Sequence, residues 1–141
     1  MSVNHLLLEE IRKIGPVTFA HFMEVALYTP GVGYYERSSH RVGVGGDFLT
    51  SPSVGALFGE LLGFAAAERA AGWGEGPVQI IEAGAHDGRL AGALLNQIHR
   101  YHPELQARLA YVILEPSPVR RQWQKQTLAT WGGLVRWCES L

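Results

Sequence analysis

The sequence predicts an α/β fold, with an N-terminal helical region followed by the first strands of a parallel sheet. Two observations predict it. Up to about residue 76, apolar residues recur at helical spacing, whereas from residue 78 short apolar segments alternate with amphipathic ones. Strands that alternate with helices are typical of parallel sheets with right-handed crossovers. The 141 residues are 47% hydrophobic and 18% charged, as expected for a chain with a buried core.

Two helices are predicted at the beginning of the chain. Ser2 or Asn4 can cap the first, which Gly15 and Pro16 end, and Thr18 can cap the second. We expect the apolar face of each helix to pack into a core. These faces contain Leu7, Leu8, Ile11 and Ile14 in the first helix, and Phe19, Phe22, Met23, Ala26 and Leu27 in the second.

A glycine-rich segment, residues 31–50, separates these helices from a third. Its glycines surround the polar sequence ERSSHR, which predicts a loop that is either mobile or shaped for a ligand. Ser51 and Pro52 are typical of a helix start, and this third helix is expected to run to about Gly72. Its apolar residues at helical spacing are Val54, Leu57, Phe58, Leu61, Leu62 and Ala65.

Three buried strands are predicted in the second half, at Val78 to Glu82, Ala110 to Leu114 and Leu134 to Cys138. A helix containing Leu90, Leu94, Leu95, Ile98 and Tyr101 follows the first strand, and a helix over Pro118 to Trp131 follows the second. We therefore divide the chain into a helical region, residues 1–76, and a sheet-containing region, residues 77–141.

Composition and charge limit the classes of partner that the chain is expected to bind and indicate its cellular compartment. With a formal net charge of −1, the chain has no excess of basic residues for binding nucleic acid. The six histidines are not spaced as metal ligands usually are. One cysteine, Cys138, cannot form an internal disulfide. No apolar segment approaches the roughly 20 residues that cross a bilayer, and the N-terminus resembles neither a secretory signal nor a transit peptide. We expect a cytoplasmic protein that binds neither metal nor nucleic acid and does not insert into membranes.

The strongest local signal is the sequence EAGAHDG, residues 82–88, where an acid at a strand end precedes a glycine turn into a helix. Glycines let a backbone approach a ligand closely, and the helix N-terminus presents free N–H groups. Glu115 ends the second strand, where such sheets place an acid that binds a ribose. The G-x-x-x-G spacing and the carboxylate favour S-adenosylmethionine over a pyrophosphate-containing dinucleotide. A strand-turn-helix without a ligand remains the third interpretation.

Five segments in order resemble the MidA family of class I S-adenosylmethionine-dependent methyltransferases. They are GPVTFAHFMEVALYTPGVGYY at 15–35, GGDFLTSP at 45–52, LFGELL at 57–62, EAGAHDGRLA at 82–91 and ILEPSP at 113–118. The resemblance implies a Rossmann-like fold with an N-terminal helical lid. It also implies protein methylation, since the family includes a mitochondrial assembly factor that methylates an arginine of a respiratory complex I subunit.

The resemblance also implies the cofactor-binding residues. Glu82, Gly84 and Gly88 match the family's turn around the methionine part of the cofactor, and Glu115 matches the acid on the ribose. His86 stands where the family usually has a glycine; it can tolerate a positive φ, and it is either a cofactor contact or a partly exposed neighbour of Asp87. The segment expected to fold over the cofactor contributes Gly46, Asp47, Phe48 and Thr50.

The resemblance covers nearly the whole chain, but the chain supplies only about three of the seven strands that a class I methyltransferase has, so we expect it to be a fragment, inactive alone. No catalytic residue can be assigned from it. Truncation would leave Val78 to Glu82 as an apolar edge strand, which predicts self-association. The alternative function is a non-catalytic interaction or assembly module with a vestigial cofactor site, an interpretation that His86 and the missing strands favour.

Overall fold

The computed structural model of the chain describes residues 2–36 and 50–140, apart from the side chains of residues 52 and 53. The chain divides into two compact units, Met1–Phe48 and Leu49–Leu141. Within the described ranges, none of the helices has the length and the apolar content needed to cross a membrane.

The first unit contains the two predicted helices, α1 (Val3–Ile14) and α2 (Phe19–Tyr28), and a short 3-10 helix (Tyr34–Glu36). Both predicted caps are confirmed. The Ser2 side chain accepts a hydrogen bond from the His5 backbone N–H, and the Thr18 side chain accepts one from His21. These bonds satisfy N–H groups that have no partner within the helix, so they fix where each helix begins.

The prediction that both apolar faces pack into a core is wrong for most of their residues. Leu7 is buried in α1, but Ile14 is exposed, and α2 has no buried residue. Phe19 is 75% exposed. The physical reason is that one helix offers another only a narrow strip of surface, so this unit of two helices covers little of either face.

The second unit is built on a three-stranded parallel sheet, as predicted, and the order of its strands is β1-β2-β3. The strands are β1 (Val78–Ala83), β2 (Leu109–Leu114) and β3 (Val135–Cys138). β1 pairs with β2 up to Ala83 opposite Leu114, and β2 pairs with β3 up to Leu114 opposite Cys138. All three strands therefore end at the same edge. Within the described residues β1 is an edge strand; self-association through it stays a prediction.

The core lies between one face of this sheet, the crossover helix α5 (Arg89–Tyr101) and the segment that follows the second crossover helix, α7 (Pro118–Thr127). Residues of β2 alternate between buried and partly exposed positions, because successive side chains point to opposite faces. The buried residues from strands and crossovers include Val78, Leu94, Leu95, Ile98, Leu109, Tyr111, Ile113, Leu128, Trp131 and Val135. On the other face, Ile81 is 47% exposed.

Two element predictions need correction in this unit. The predicted helix over 118–131 ends at Thr127, and a 3-10 helix (Ala129–Trp131) follows it. A short helix that the sequence analysis did not predict, α6 (Pro103–Gln106), begins at a proline directly after α5. Proline suits the first position of a helix because its missing N–H would have no partner there.

The predicted third helix is divided into α3 (Ser51–Val54) and α4 (Leu57–Ala71), and its apolar residues at helical spacing do not form its packing face. Leu57 is 67% exposed, and the other large apolar residues of α4 are exposed as well. The buried face consists of small residues: Gly59, Gly63, Ala67 and Ala70. A Cβ at Gly59 would lie 2.5 Å from the Ala93 Cβ, so glycine permits the close approach of α4 to α5.

This packing groups α3 and α4 with the sheet in the second unit. The predicted boundary between residues 76 and 77 separates helices from strands along the sequence, whereas the compact units separate groups of elements that pack together. The division into residues 1–76 and 77–141, with the cofactor-binding domain beginning at residue 77, stays a prediction.

Candidate cofactor site

The turn that joins β1 to α5, which we call the glycine turn (residues 84–88), has an unusual backbone. Gly84, His86 and Gly88 have φ values of 75°, 48° and 86°, and His86 is the one non-glycine residue with positive φ among the described residues. The expectation that His86 tolerates a positive φ is confirmed. Gly88 is the N-cap residue of α5, so the turn ends at the helix terminus that presents N–H groups.

The two glycines of this turn have different surroundings. A Cβ at Gly88 would lie 3.2 Å from the Leu128 Cδ1, so a side chain there would crowd the segment after α7, and the φ of 86° also favours glycine. At Gly84 no atom lies within 4 Å of the Cβ position, and the residue is exposed. A ligand can therefore approach the backbone at Gly84 from a side that a Cβ would fill.

Glu82 lies at the border between the core and the glycine turn. Its Oε2 accepts a hydrogen bond of 2.8 Å from the Tyr111 hydroxyl on the neighbouring strand. Burial raises the pKa of the Glu82 carboxyl, and the bond from Tyr111 opposes this only in part. Burial and the nearby carboxyl also raise the pKa of Tyr111, so this phenol remains a donor. The carboxyl group of Glu82 is thus held by β2.

Asp87 stabilises the start of α5, with His86 beside it. Asp87 accepts a hydrogen bond from the Arg89 backbone N–H and pairs with the Arg89 Nε at 2.9 Å. Burial alone would raise the pKa of Asp87, but His86 and Arg89 together lower it. The His86 Nδ1 lies 3.7 Å from the Asp87 carboxylate, and its side chain is one-third exposed. This position matches the interpretation of His86 as a partly exposed neighbour of Asp87; cofactor contact stays a prediction.

Glu115 follows β2 directly, and it is enclosed by protein groups. It is 2% exposed. One carboxylate oxygen accepts a hydrogen bond from the Ser117 N–H at 3.0 Å, and the other accepts one from the Gln124 Nε2 at 3.0 Å. Arg120 lies 4.0 Å from the second oxygen. The position of this carboxylate is therefore set by α7 and by the turn that precedes it.

Sequence reasoning missed Gln124, which is fully buried. Its amide nitrogen donates to the His86 carbonyl at 3.0 Å and to Glu115, and its amide oxygen accepts from the Trp137 Nε1 at 2.9 Å. A signal was available in the pattern, because Gln124 lies four residues before the apolar Leu128 and so on the buried face of α7. A polar residue in such a position is expected to have buried partners.

The structure brings five of the nine predicted cofactor residues to the ends of β1 and β2: Glu82, Gly84, His86, Gly88 and Glu115. Thr50 is exposed and directly precedes α3, which packs against α4 and α5. Gly46, Asp47 and Phe48 lie outside the described residues. Among residues 2–36 and 50–140 there is no group of three His, Cys, Asp or Glu that could hold a metal ion.

The chemistry of these groups suits a cofactor with a cationic part better than a pyrophosphate. Glu82 and Asp87 place two carboxyl groups at the glycine turn, where they would repel a diphosphate. The exposed backbone at Gly84 and the N-terminus of α5 provide room and N–H groups for a ligand carboxylate. The methionine part of S-adenosylmethionine has both an ammonium and a carboxylate, so the residues present fit this cofactor.

Comparison with known proteins supports this chemistry. A family model described as "Putative S-adenosyl-L-methionine-dependent methyltransferase" matches residues 61–141. The mitochondrial protein arginine methyltransferase NDUFAF7 of Danio rerio is 33% identical over 129 residues, which are 90% of this chain and 30% of that protein. Its Caenorhabditis elegans homologue is 36% identical over 108 residues, which are 72% of this chain and 25% of that protein.

A crystal structure of a Burkholderia thailandensis protein bound to S-adenosyl-homocysteine has the same fold. It matches with a TM-score of 0.77 and 32% identity over 99% of this chain and 37% of that protein. The chain thus spans less than two-fifths of the length of each of these relatives. Since the family model covers more than half of the chain and the structural match nearly all of it, the chain belongs to the MidA family of S-adenosylmethionine-dependent methyltransferases.

Proposed function

We propose that this chain binds S-adenosylmethionine at the glycine turn and contributes this part of the site to a protein-arginine methyltransferase. The observation that carries the proposal is the exposed, unobstructed backbone at Gly84, which follows the end of β1 at the same edge of the sheet where Glu115 follows β2. The S-adenosyl-homocysteine bound to the Burkholderia protein supports the choice of cofactor.

The residues of the chain would bind and orient the cofactor. Bound S-adenosylmethionine supplies a methyl group on a sulfonium, and transfer depends mainly on how donor and acceptor are positioned. Glu82 would hold the ammonium group of the cofactor, and the N-terminus of α5 would face its carboxylate. Glu115 would bind the ribose. We assign no catalytic residue within the chain.

The proposed acceptor is an arginine side chain of a protein. This proposal rests on the names of the relatives, which are protein arginine methyltransferases. The family resemblance implies a role in the assembly of a respiratory complex. In that role the methyl acceptor would be a subunit of the complex. The formal net charge of −1 is compatible with a cationic acceptor but does not select one.

Calorimetric titration of S-adenosyl-homocysteine, S-adenosylmethionine and NAD into the 141-residue chain tests the proposal. We expect both adenosyl compounds to bind and NAD not to bind. Glu82→Ala should weaken binding of S-adenosylmethionine about tenfold, since a charged hydrogen bond contributes about 1.5 kcal/mol or more. Gln79→Ala, an exposed position on the same strand, should bind as the native chain does.

The same titration separates the alternatives. Binding of NAD with no binding of either adenosyl compound would show a dinucleotide site. Failure of all three ligands, both in this chain and in a form extended to the length of its relatives, would favour a non-catalytic interaction or assembly module, with a vestigial site whose turn contains His86 in place of a glycine.

A further inference from the structure

Gln124 connects three segments that end at the same edge of the sheet. Its amide contacts the carbonyl of His86 in the glycine turn, the carboxylate of Glu115 after β2 and the indole of Trp137 in β3. The side chain comes from α7, a fourth segment, and it is fully buried. One side chain therefore links both halves of the proposed cofactor site.

The hydrogen-bonding pattern requires an amide. The Gln124 nitrogen donates twice, and its oxygen accepts once. A carboxylate could only accept, and a thioether would provide no donor. Because the three partners are polar groups at the edge of the core, removing the amide would leave buried groups without a partner.

We propose that Gln124 is a positioning residue, which fixes the glycine turn and the Glu115 carboxylate relative to each other and thereby sets the affinity for the cofactor. The effect on affinity rests on the proposed function. The fixed relative position rests only on the three hydrogen bonds. The two parts can therefore be tested separately.

Gln124→Met removes the amide and keeps a similar side-chain length. We expect S-adenosyl-homocysteine to bind about tenfold more weakly, because the glycine turn and the Glu115 carboxylate would then have to be ordered on binding, and ordering one side chain costs up to about that factor. Hydrogen exchange, measured by NMR, should become faster at the Ser117 amide and the Trp137 indole. Gln126→Met, an exposed position on the same helix, is the matched control and should change neither quantity.

Gln124→Glu provides a readout that a merely structural role would not change. It places a second carboxyl group beside Glu115, so both cannot be ionised without repulsion. The other charged groups nearby are Arg120, 4.0 Å from Glu115, Lys125 beside Trp137, and His86 in the turn. Relative to that of the native chain, the affinity of Gln124→Glu should be low at neutral pH and recover as the pH falls, since a protonated carboxyl can donate. Gln126→Glu should show no such recovery.

The outcomes are distinct. Unchanged affinity and exchange in Gln124→Met, with the variant folded by thermal melting, would overturn the proposal. If the native chain does not bind S-adenosyl-homocysteine, the proposed function fails. In that case faster exchange at Ser117 and Trp137 would still support the positional role, and unchanged exchange would overturn it.

Discussion

Glu82 and Glu115 end neighbouring strands, but their surroundings are opposite. Glu115 is enclosed, with donors from Ser117 and Gln124 on its two oxygens. Glu82 accepts a bond from Tyr111 and lies beside a turn whose first glycine is open to solvent. The difference indicates that the protein organises the β2 side of the site in advance, whereas the β1 side is the one that a ligand can approach directly.

The largest expected effects on stability come from removing each carboxyl group in turn, which tests whether the two groups are organised differently. Glu115→Ala removes a buried carboxylate that accepts hydrogen bonds from the Ser117 N–H and the Gln124 amide and lies 4.0 Å from Arg120, so we expect a loss of about 3 kcal/mol in the free energy of unfolding. Glu82→Ala should cost only about 1 kcal/mol, because it removes one bond at a partly exposed position. Urea unfolding at neutral pH measures both. Equal losses would show that the two carboxyl groups are not organised differently.

The two glycines extend the comparison to the backbone. Gly88→Ala combines a left-handed φ with crowding against Leu128, so we expect a loss of stability of about 2 kcal/mol. Gly84→Ala has the same backbone penalty without crowding and should lose about 1 kcal/mol. Titration should show the reverse order for affinity: Gly84→Ala should weaken binding of S-adenosyl-homocysteine more than Gly88→Ala, since a methyl group at Gly84 fills the open side of the turn. A larger stability loss at Gly84 would contradict this assignment.

The sequence predicted the second unit well because its signals are local. Apolar runs bounded by turns identified all three strands, and the ordered strand-helix alternation predicted their parallel arrangement. The acid at the end of β1 and the glycines of the turn also lie within one short segment. For such features the residues that determine the structure are adjacent in the sequence.

Features that depend on distant residues were not predictable in this way. The large apolar residues of α4 repeat at helical spacing but are exposed, and Gly59 and Gly63 face α5, since only small residues allow that approach. Gln124 was missed because its partners are 9 to 38 residues away in the chain. Periodicity shows that a helix has an apolar face, but not which neighbouring element packs against it.

The smallest expected effect is the pH dependence of the contribution that Glu82 makes to stability, which tests the β1 side of the site alone. Burial raises the pKa of this carboxyl above the ordinary value of 4.5. The folded state therefore binds the proton more tightly than the unfolded state, so the contribution of Glu82 to the free energy of unfolding should increase as the pH falls through the raised pKa towards 4.5.

Affinity for S-adenosylmethionine should change in the opposite direction over the same pH range, since a protonated Glu82 no longer attracts an ammonium group. The difference between the native chain and Glu82→Gln, measured by calorimetry and urea unfolding across this range, isolates the one carboxyl from all others that titrate. If the affinity difference stays constant while the stability difference changes, Glu82 titrates but does not contact the cofactor, and the open side of the turn would then bind through its backbone alone.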